Sequence, residues 1–235
     1  MGLSIKTCYT VKIQKQLDAT QDKTTEKLNI ARKRAVDSRL MRQTSLICLE
    51  ALKFCVSVIS EEWDTIMGVE SKLRKRLIDT LVHRTKTAVP KYPEFDLKFP
   101  KMPGYTRRAI IADAFGMVKS YRSNHKNWKE TPPMERGAEP TLGIPSRYEL
   151  TFYDQERKMS CLADSQIGLK LYNGKTWNWY YFQIRPSDAK QISRLSKTRK
   201  MLSPIVDKVR GRYQIRFTFE EIRELVQDED KLAYR

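Results

Sequence analysis

The stretch Pro103–Trp128, PGYTRRAIIADAFGMVKSYRSNHKNW, places two chemistries on two faces of one helix. Its periodicity predicts a helix from Thr106 to Arg122, with Thr106 as N-cap and the Pro103-Gly104 pair stopping any helix before it. Ile110, Ile111, Ala114, Met117, Val118 and Tyr121 fall on one side, as a core-facing stripe does. Arg108, Lys119 and Arg122 line the other, with Phe115 among them. An ordinary amphipathic helix with a solvated basic face has the same period, so the pattern alone leaves the purpose of that face open.

The charge of the whole chain narrows it. Across 235 residues there are 45 Lys and Arg against 28 Asp and Glu, a formal net charge of +17. Such an imbalance costs self-repulsion in the compact state unless a polyanion offsets it, which makes nucleic acid the default partner. Ribosomal and membrane-surface proteins share the same balance. Hydrophobic content of 40% describes a globular chain with room for a sizeable core, in one domain or two. The four cysteines, Cys8, Cys48, Cys55 and Cys161, are scattered, and His83 and His125 sit near none of them in sequence, which argues against a zinc site. Cys48 and Cys55 share a helical stripe with Leu52 and Ile59 and read as reduced core thiols, pointing to a cytoplasmic setting. Residues 1–16 have no signal-peptide pattern, and Leu46–Ile59, the most apolar stretch, is too short and too charged to span a bilayer. A soluble protein with no membrane partner is expected.

Working outward, Leu3–Ile13 alternates as a half-buried strand. Helices are predicted over Thr24–Val36, Ser38–Trp63 and Glu70–His83, the last placing Lys72, Arg74, Lys75 and Arg76 beside Leu73, Leu77 and Leu81. Proline-rich loops cover residues 88–104 and 129–146. After Arg147 the period changes to two, predicting strands over Tyr148–Tyr153, Lys158–Leu162, Ile167–Leu171 and Trp177–Ile184. Asn173-Gly174 turns the third into the fourth. A basic helix over Ser187–Met201 leads to Ser203–Val209, and Arg210-Gly211 turns that strand into Tyr213–Phe219. A lone N-terminal strand needs a sheet, so it is expected to join the C-terminal strands and close a small barrel. The expected class is α+β: a barrel made of residues 1–16 and 147–235, interrupted by a helical insertion over 17–146.

The opening segment resembles the helix in the N-terminal half of TnpB, the RNA-guided nuclease of insertion sequences. The positions that carry the likeness are Pro103, Tyr105, Arg107, Arg108, Ala109, Gly116, Ser120, Tyr121, Ser123, Asn124, Asn127 and Trp128. Small type V CRISPR effectors share the plan. The resemblance implies an oligonucleotide-binding-like wedge barrel interrupted by a helical recognition domain, a guide RNA and target DNA as partners, and transposon-associated, RNA-guided binding. The family's RuvC-like nuclease, which brings its carboxylates and Mg, begins with a strand beyond a barrel that ends as this one does. The expectation is therefore a binding half with no catalytic or metal residue and no cofactor of its own. The alternatives are a standalone DNA- or RNA-binding regulator and one half of a split enzyme completed in trans by a separate nuclease chain.

The residues of the chain supply no catalytic motif: there is no phosphate-cradling glycine loop, no G-x-S-x-G and no H-E-x-x-H. The acidic tail Glu220–Asp230 reads as a solvated helix end. Binding is better served. Arg185, Lys190, Arg194, Lys197, Arg199, Lys200, Lys208, Arg210, Arg212 and Arg216 face Asp188 and Asp207 alone over residues 185–216. Arg194, Lys197 and Lys200 have helical spacing suited to a phosphate backbone, and this region is the candidate RNA surface. Tyr105, Arg107, Arg108, Phe115, Lys119, Arg122, Ser123 and Asn124 are the candidate DNA surface, since Arg and Asn make bidentate contacts with guanine and adenine. Trp128 fits better as a staple on the following loop. Trp177, Trp179, Tyr180, Tyr181 and Phe182 suit core packing more than base stacking.

Overall fold

A computed structural model describes residues 2–21, 28–85, 88–152, 157–158 and 164–224. The chain forms two compact units, one from residues 1–36, 158–168 and 181–235, the other from 37–157 and 169–180. The architecture is α+β with antiparallel sheets.

In the strand-rich unit, β1 (Gly2–Lys12) pairs antiparallel with the C-terminal strand along its whole length, from Gly2 opposite Glu224 to Lys12 opposite Gln214. The alternation read from sequence is the alternation of burial. Val11 and, beyond the strand, Ile13 point inward, facing the inward Ile215, Phe217 and Phe219 row of the partner strand. At Ile13–Gln14 the chain changes sheets: Ile13 N–H donates to Tyr213 O at 3.0 Å, and Gln14 N–H to Gln183 O at 2.9 Å. β2 (Lys15–Gln21) then pairs with β3 (Leu28–Arg34), with a bulge at Asp18/Ala19.

Strand β3 replaces the helix predicted over Thr24–Val36, whose first residues lie outside the described ones. Ala31, Arg32, Lys33 and Arg34 favour helix by propensity, but β2 offers a ladder of backbone partners, and Asp18 Oδ1 holds Arg34 Nε at 2.8 Å. Tertiary pairing overrides local preference here.

The other unit is mostly helical. Helix α1 (Ser38–Glu61) starts at Asp37, whose carboxylate accepts Arg39 N–H at 2.9 Å. Leu40, Met41, Thr44, Cys48, Leu52, Cys55 and Ile59 make its buried stripe, and burial pushes the Cys55 thiol up to about 12. Among the described helices α1 alone is long and apolar enough to cross a bilayer, and half of its most apolar window is buried inside the protein. It packs against the long helix that holds the opening segment. Short α2 (Trp63–Met67) follows, then α3 (Arg74–Val82), which buries Ile78 and Val82 rather than the Leu73, Leu77 and Leu81 side. The expected loop over 88–104 contains α4 (Glu94–Lys98), nucleated by ring packing of Phe54, Phe95 and Phe99 that its prolines conceal.

Helix α5 (Gly104–Glu130) is longer at both ends than predicted. Pro103, at φ −57 and ψ 138, precedes its first turn, and its carbonyl accepts Arg107 N–H at 3.0 Å; Thr106 is buried inside that turn instead of capping it. At the far end Tyr121, His125 and Trp128 stack at 5.6 and 5.9 Å and carry the helix past Arg122. Trp128 Nε1–H donates to Gly137 O at 2.9 Å, stapling the loop that follows.

The strands after Arg147 are β4 (Leu150–Thr151), β5 (Arg157–Lys158), β6 (Gln166–Tyr172) and β7 (Trp177–Gln183). The Asn173 carboxamide accepts Lys175 and Thr176 N–H, and Gly174 takes φ 93, a backbone conformation for which Asn-Gly is suited. Most of the predicted strand over Lys158–Leu162, and Cys161 with it, lies outside the described residues. The second sheet runs β3–β2–β7–β6–β5. Helix α6 (Pro186–Thr198), β8 (Lys200–Met201), β9 (Ile205–Val209) and β10 (Arg212–Glu224) complete the strand-rich unit. β10 pairs with β1, β9 and β8, and Arg210 and Gly211 turn with φ 48 and 79, the two left-handed residues a tight hairpin needs. Glu220 and Glu221 belong to this strand and not to a helix end. Among the described residues the strands form two sheets, not a closed barrel: the break at Ile13–Gln14 distributes the hairpins between them.

Candidate nucleic-acid interfaces

Each unit carries a basic surface, and in each the structure sorts structural cations from presented ones. In the strand-rich unit, α6 buries Ala189 and Ile192 and exposes Lys190, Arg194 and Lys197 on the side away from them. Their positions i, i+4 and i+7 span about 10 Å at the helical rise of about 1.5 Å per residue. Arg185, just before the helix, is also exposed. Lys200 does not continue the row, because the helix ends at Thr198 and Lys200 belongs to β8. Two other candidates are structural. Arg199 bridges Glu221 at 3.0 Å and donates to Thr7 Oγ1 at 2.9 Å, and Arg216 bridges Asp207 at 3.4 Å. The sequence also suggested Asp188 as a counter-charge; its carboxylate instead accepts the Tyr9 hydroxyl at 2.8 Å, a bond that raises the phenol pKa. At the β9–β10 hairpin, Lys208 lies over the Tyr213 ring at 5.3 Å, and Arg210 and Arg212 are exposed.

In the helical unit the adjacent Arg107 and Arg108 part company. Arg107 is 7% exposed, and its Nε donates to Asp79 Oδ1 at 2.7 Å, tying α5 to α3. It does not belong to the exposed candidate DNA surface, since a contact with DNA would require breaking its ion pair with the half-buried Asp79. The signal was present in the sequence: Arg107 falls in the same arc as Ile110, Ala114 and Val118. Arg108 is exposed, with its guanidinium over the Tyr105 ring at 5.1 Å.

Phe115 stacks on Trp63 at 6.0 Å with ring planes 23° apart. Arg122 lies over the other partner of that stack, Trp63, at 5.0 Å, and its Nη2 donates to Ser60 O at 3.1 Å. Trp63, which sequence periodicity gave no role, thus gathers two of the α5 candidates into one half-buried ring-and-cation cluster. Lys119, Ser123 and Asn124 are exposed.

Asn124 also lines an open groove of about 550 Å³ along α5, with Gly116, Ser120 and Tyr121 on one side and Thr141, Leu142 and Gly143 on the other. Asp113, at the same groove, accepts the Tyr148 hydroxyl at 2.8 Å; desolvation raises its carboxyl pKa in spite of that bond.

On β7, Trp177, Tyr181 and Phe182 are buried, and Trp179 and Tyr180 are half-buried, so most of the aromatic run packs inside. Among the described residues no three His, Cys, Asp or Glu side chains converge as a metal site. His83 is held by Asp96 at 2.7 Å and His125 by Glu139 at 3.0 Å, which gives both imidazoles structural partners.

The model of the Aq_aa04 family matches residues 24–173, more than half of the chain, and the chain belongs to that family. No curated protein matches it.

Proposed function

We propose that this Aq_aa04 family member is a nucleic-acid-binding protein that grips structured RNA through α6 and the β9–β10 hairpin, and DNA through the exposed side of α5. The observation that carries the reading is the α6 row, Lys190, Arg194 and Lys197, exposed opposite the buried Ala189 and Ile192. A row about 10 Å long covers about three nucleotide steps at about 3.4 Å per step, so it suits a phosphate backbone. In its fuller form, this is the guide-RNA- and target-binding portion of a TnpB-like RNA-guided system. The strand-rich unit is then its oligonucleotide-binding-like wedge and the helical unit its recognition domain. The order of motif residues along α5 and the insertion of helices between paired terminal strands support that form.

The test is to purify the chain from its host and sequence the RNA that comes with it. One discrete structured RNA supports the guide reading. A sample that mirrors total cellular RNA supports general RNA binding and removes the guide. Absence of RNA, together with no binding to structured RNA in vitro, would sink both.

A further inference from the structure

A second basic feature lies in the helical unit, apart from the α6 row on which the proposed function rests. Between α3 and α5 is a cleft of about 400 Å³ lined by Lys75, Arg76, Asp79, Arg108 and Ile111. Its one carboxylate is already engaged, since Asp79 Oδ1 accepts from Arg107 Nε at 2.7 Å. The pair is neutral as a unit, and Lys75, Arg76 and Arg108 contribute three positive charges around a concave space. Lys75 and Arg76 sit in the first turn of α3, Arg74–Val82, which has no acidic residue there, so the positive end of the helix dipole adds to the same potential. Arg108 lies over the Tyr105 ring at 5.1 Å. A guanidinium stacked this way keeps its in-plane N–H donors for an anion.

We propose that this cleft receives the terminal phosphate of a nucleic-acid strand. Charge selects the end over the middle of the strand. An internal phosphodiester carries one negative charge, whereas a terminal phosphate monoester carries about 1.5 to 2 at neutral pH and three acceptor oxygens. Shape selects the same way, because a strand end enters a pocket that a continuing backbone has to cross. Ile111, 1% exposed, closes the floor of the cleft and keeps it shallow enough for a phosphate group. The Arg107–Asp79 pair acts as a positioning element. It fixes α3 against α5, and it keeps Asp79 from repelling the incoming phosphate.

The inference rests on the nucleic-acid reading, and the experiment separates the two. Fluorescence anisotropy compares the full chain on one single-stranded RNA bearing a 5′-hydroxyl, a 5′-phosphate or a 3′-phosphate. One phosphorylated end should bind on the order of tenfold tighter than its hydroxyl counterpart, with inorganic phosphate competing for the difference. Which end shows the preference identifies the terminus. In the Lys75→Ala/Arg76→Ala variant, with folding checked by circular dichroism, the ratio should fall to one. Equal binding of all three RNAs by the unaltered chain overturns the inference and leaves RNA binding standing. A preference that survives in the variant, or equal weakening of all three RNAs, also overturns it. No binding to any of them overturns the inference too, while the structured-RNA reading stands or falls by its own test.

Discussion

Helix α5 and helix α6 are both amphipathic and both basic, yet their cations have different fates. On α6 the row Lys190, Arg194 and Lys197 stands clear of a buried stripe of small and aliphatic residues. On α5 the arginines are committed in graded fashion, Arg107 to a half-buried carboxylate, Arg122 to a ring and a carbonyl, Arg108 to a ring alone, and Lys119 is exposed. The difference follows from what each helix packs against. α5 packs against α1 and α3, and Trp63 of α2 and Asp79 of α3 capture the side chains that reach them. A count of basic residues treats the two helices alike; position relative to the buried stripe does not.

The sharpest way to break that contrast is to remove Asp79. Asp79→Ala leaves Arg107 buried without its carboxylate, and the expected loss is about 3–5 kcal/mol in urea unfolding. Arg108→Ala, one residue away, should stay within about 0.5 kcal/mol. Equal effects would mean that the two neighbours are not differently engaged.

The opposite test falls on α6. Lys190→Ala/Arg194→Ala/Lys197→Ala should leave unfolding almost unchanged and flatten the slope of log affinity for structured RNA against log salt by about 2–3. An unchanged slope would make the α6 row mere solvation. Between these extremes, Trp63→Phe tests the ring under Arg122. Trp is the strongest cation–π partner, so a loss of about 0.5–1 kcal/mol is expected in unfolding. No loss would place Arg122 with the presented cations instead of the committed ones.

The smallest effect concerns pH. Lys91 and Tyr92 donate to the Glu62 carboxylate and hold its carboxyl below the ordinary 4.5. Because the folded value is the lower one, the stabilisation is complete above the ordinary carboxylate range. It is lost as pH falls through the folded value. Glu62→Gln should therefore show a shallower acid limb when unfolding midpoints are compared between about pH 5 and pH 3. An acid limb as steep as that of the unaltered chain would exclude Glu62 as its source.

How much of this was legible in the sequence depends on where the deciding partner sits. β1 and β10 announced themselves because alternation is local, and a lone strand has to find a mate. The stripe Cys48, Leu52, Cys55 and Ile59 was legible for the same reason, with a period of 3.6. β3 was not, since its residues favour helix and only its ladder partner β2 makes it a strand. α4 was hidden by prolines that bracket it, and its stability comes from Phe54 on a distant helix. The α5 site shows both cases at once. The arc that buries Arg107 can be read from spacing, but Asp79, Trp63 and the cleft with Lys75 and Arg76 exist only once three helices have met.

The pairing of β1 with β10 sets a clock. Ser4 Oγ donates to Glu220, 216 positions further on, so during synthesis β1 waits for that length of chain before its ladder can form. At about 5–20 residues per second that interval is about 10–40 s. Residues 37–157, the larger part of the helical unit, are continuous in sequence and emerge within that time. Their contacts are available while β1 still exposes a full edge. Ribosome-bound nascent chains of increasing length should then acquire protease resistance first in the helical run and last at the N-terminus.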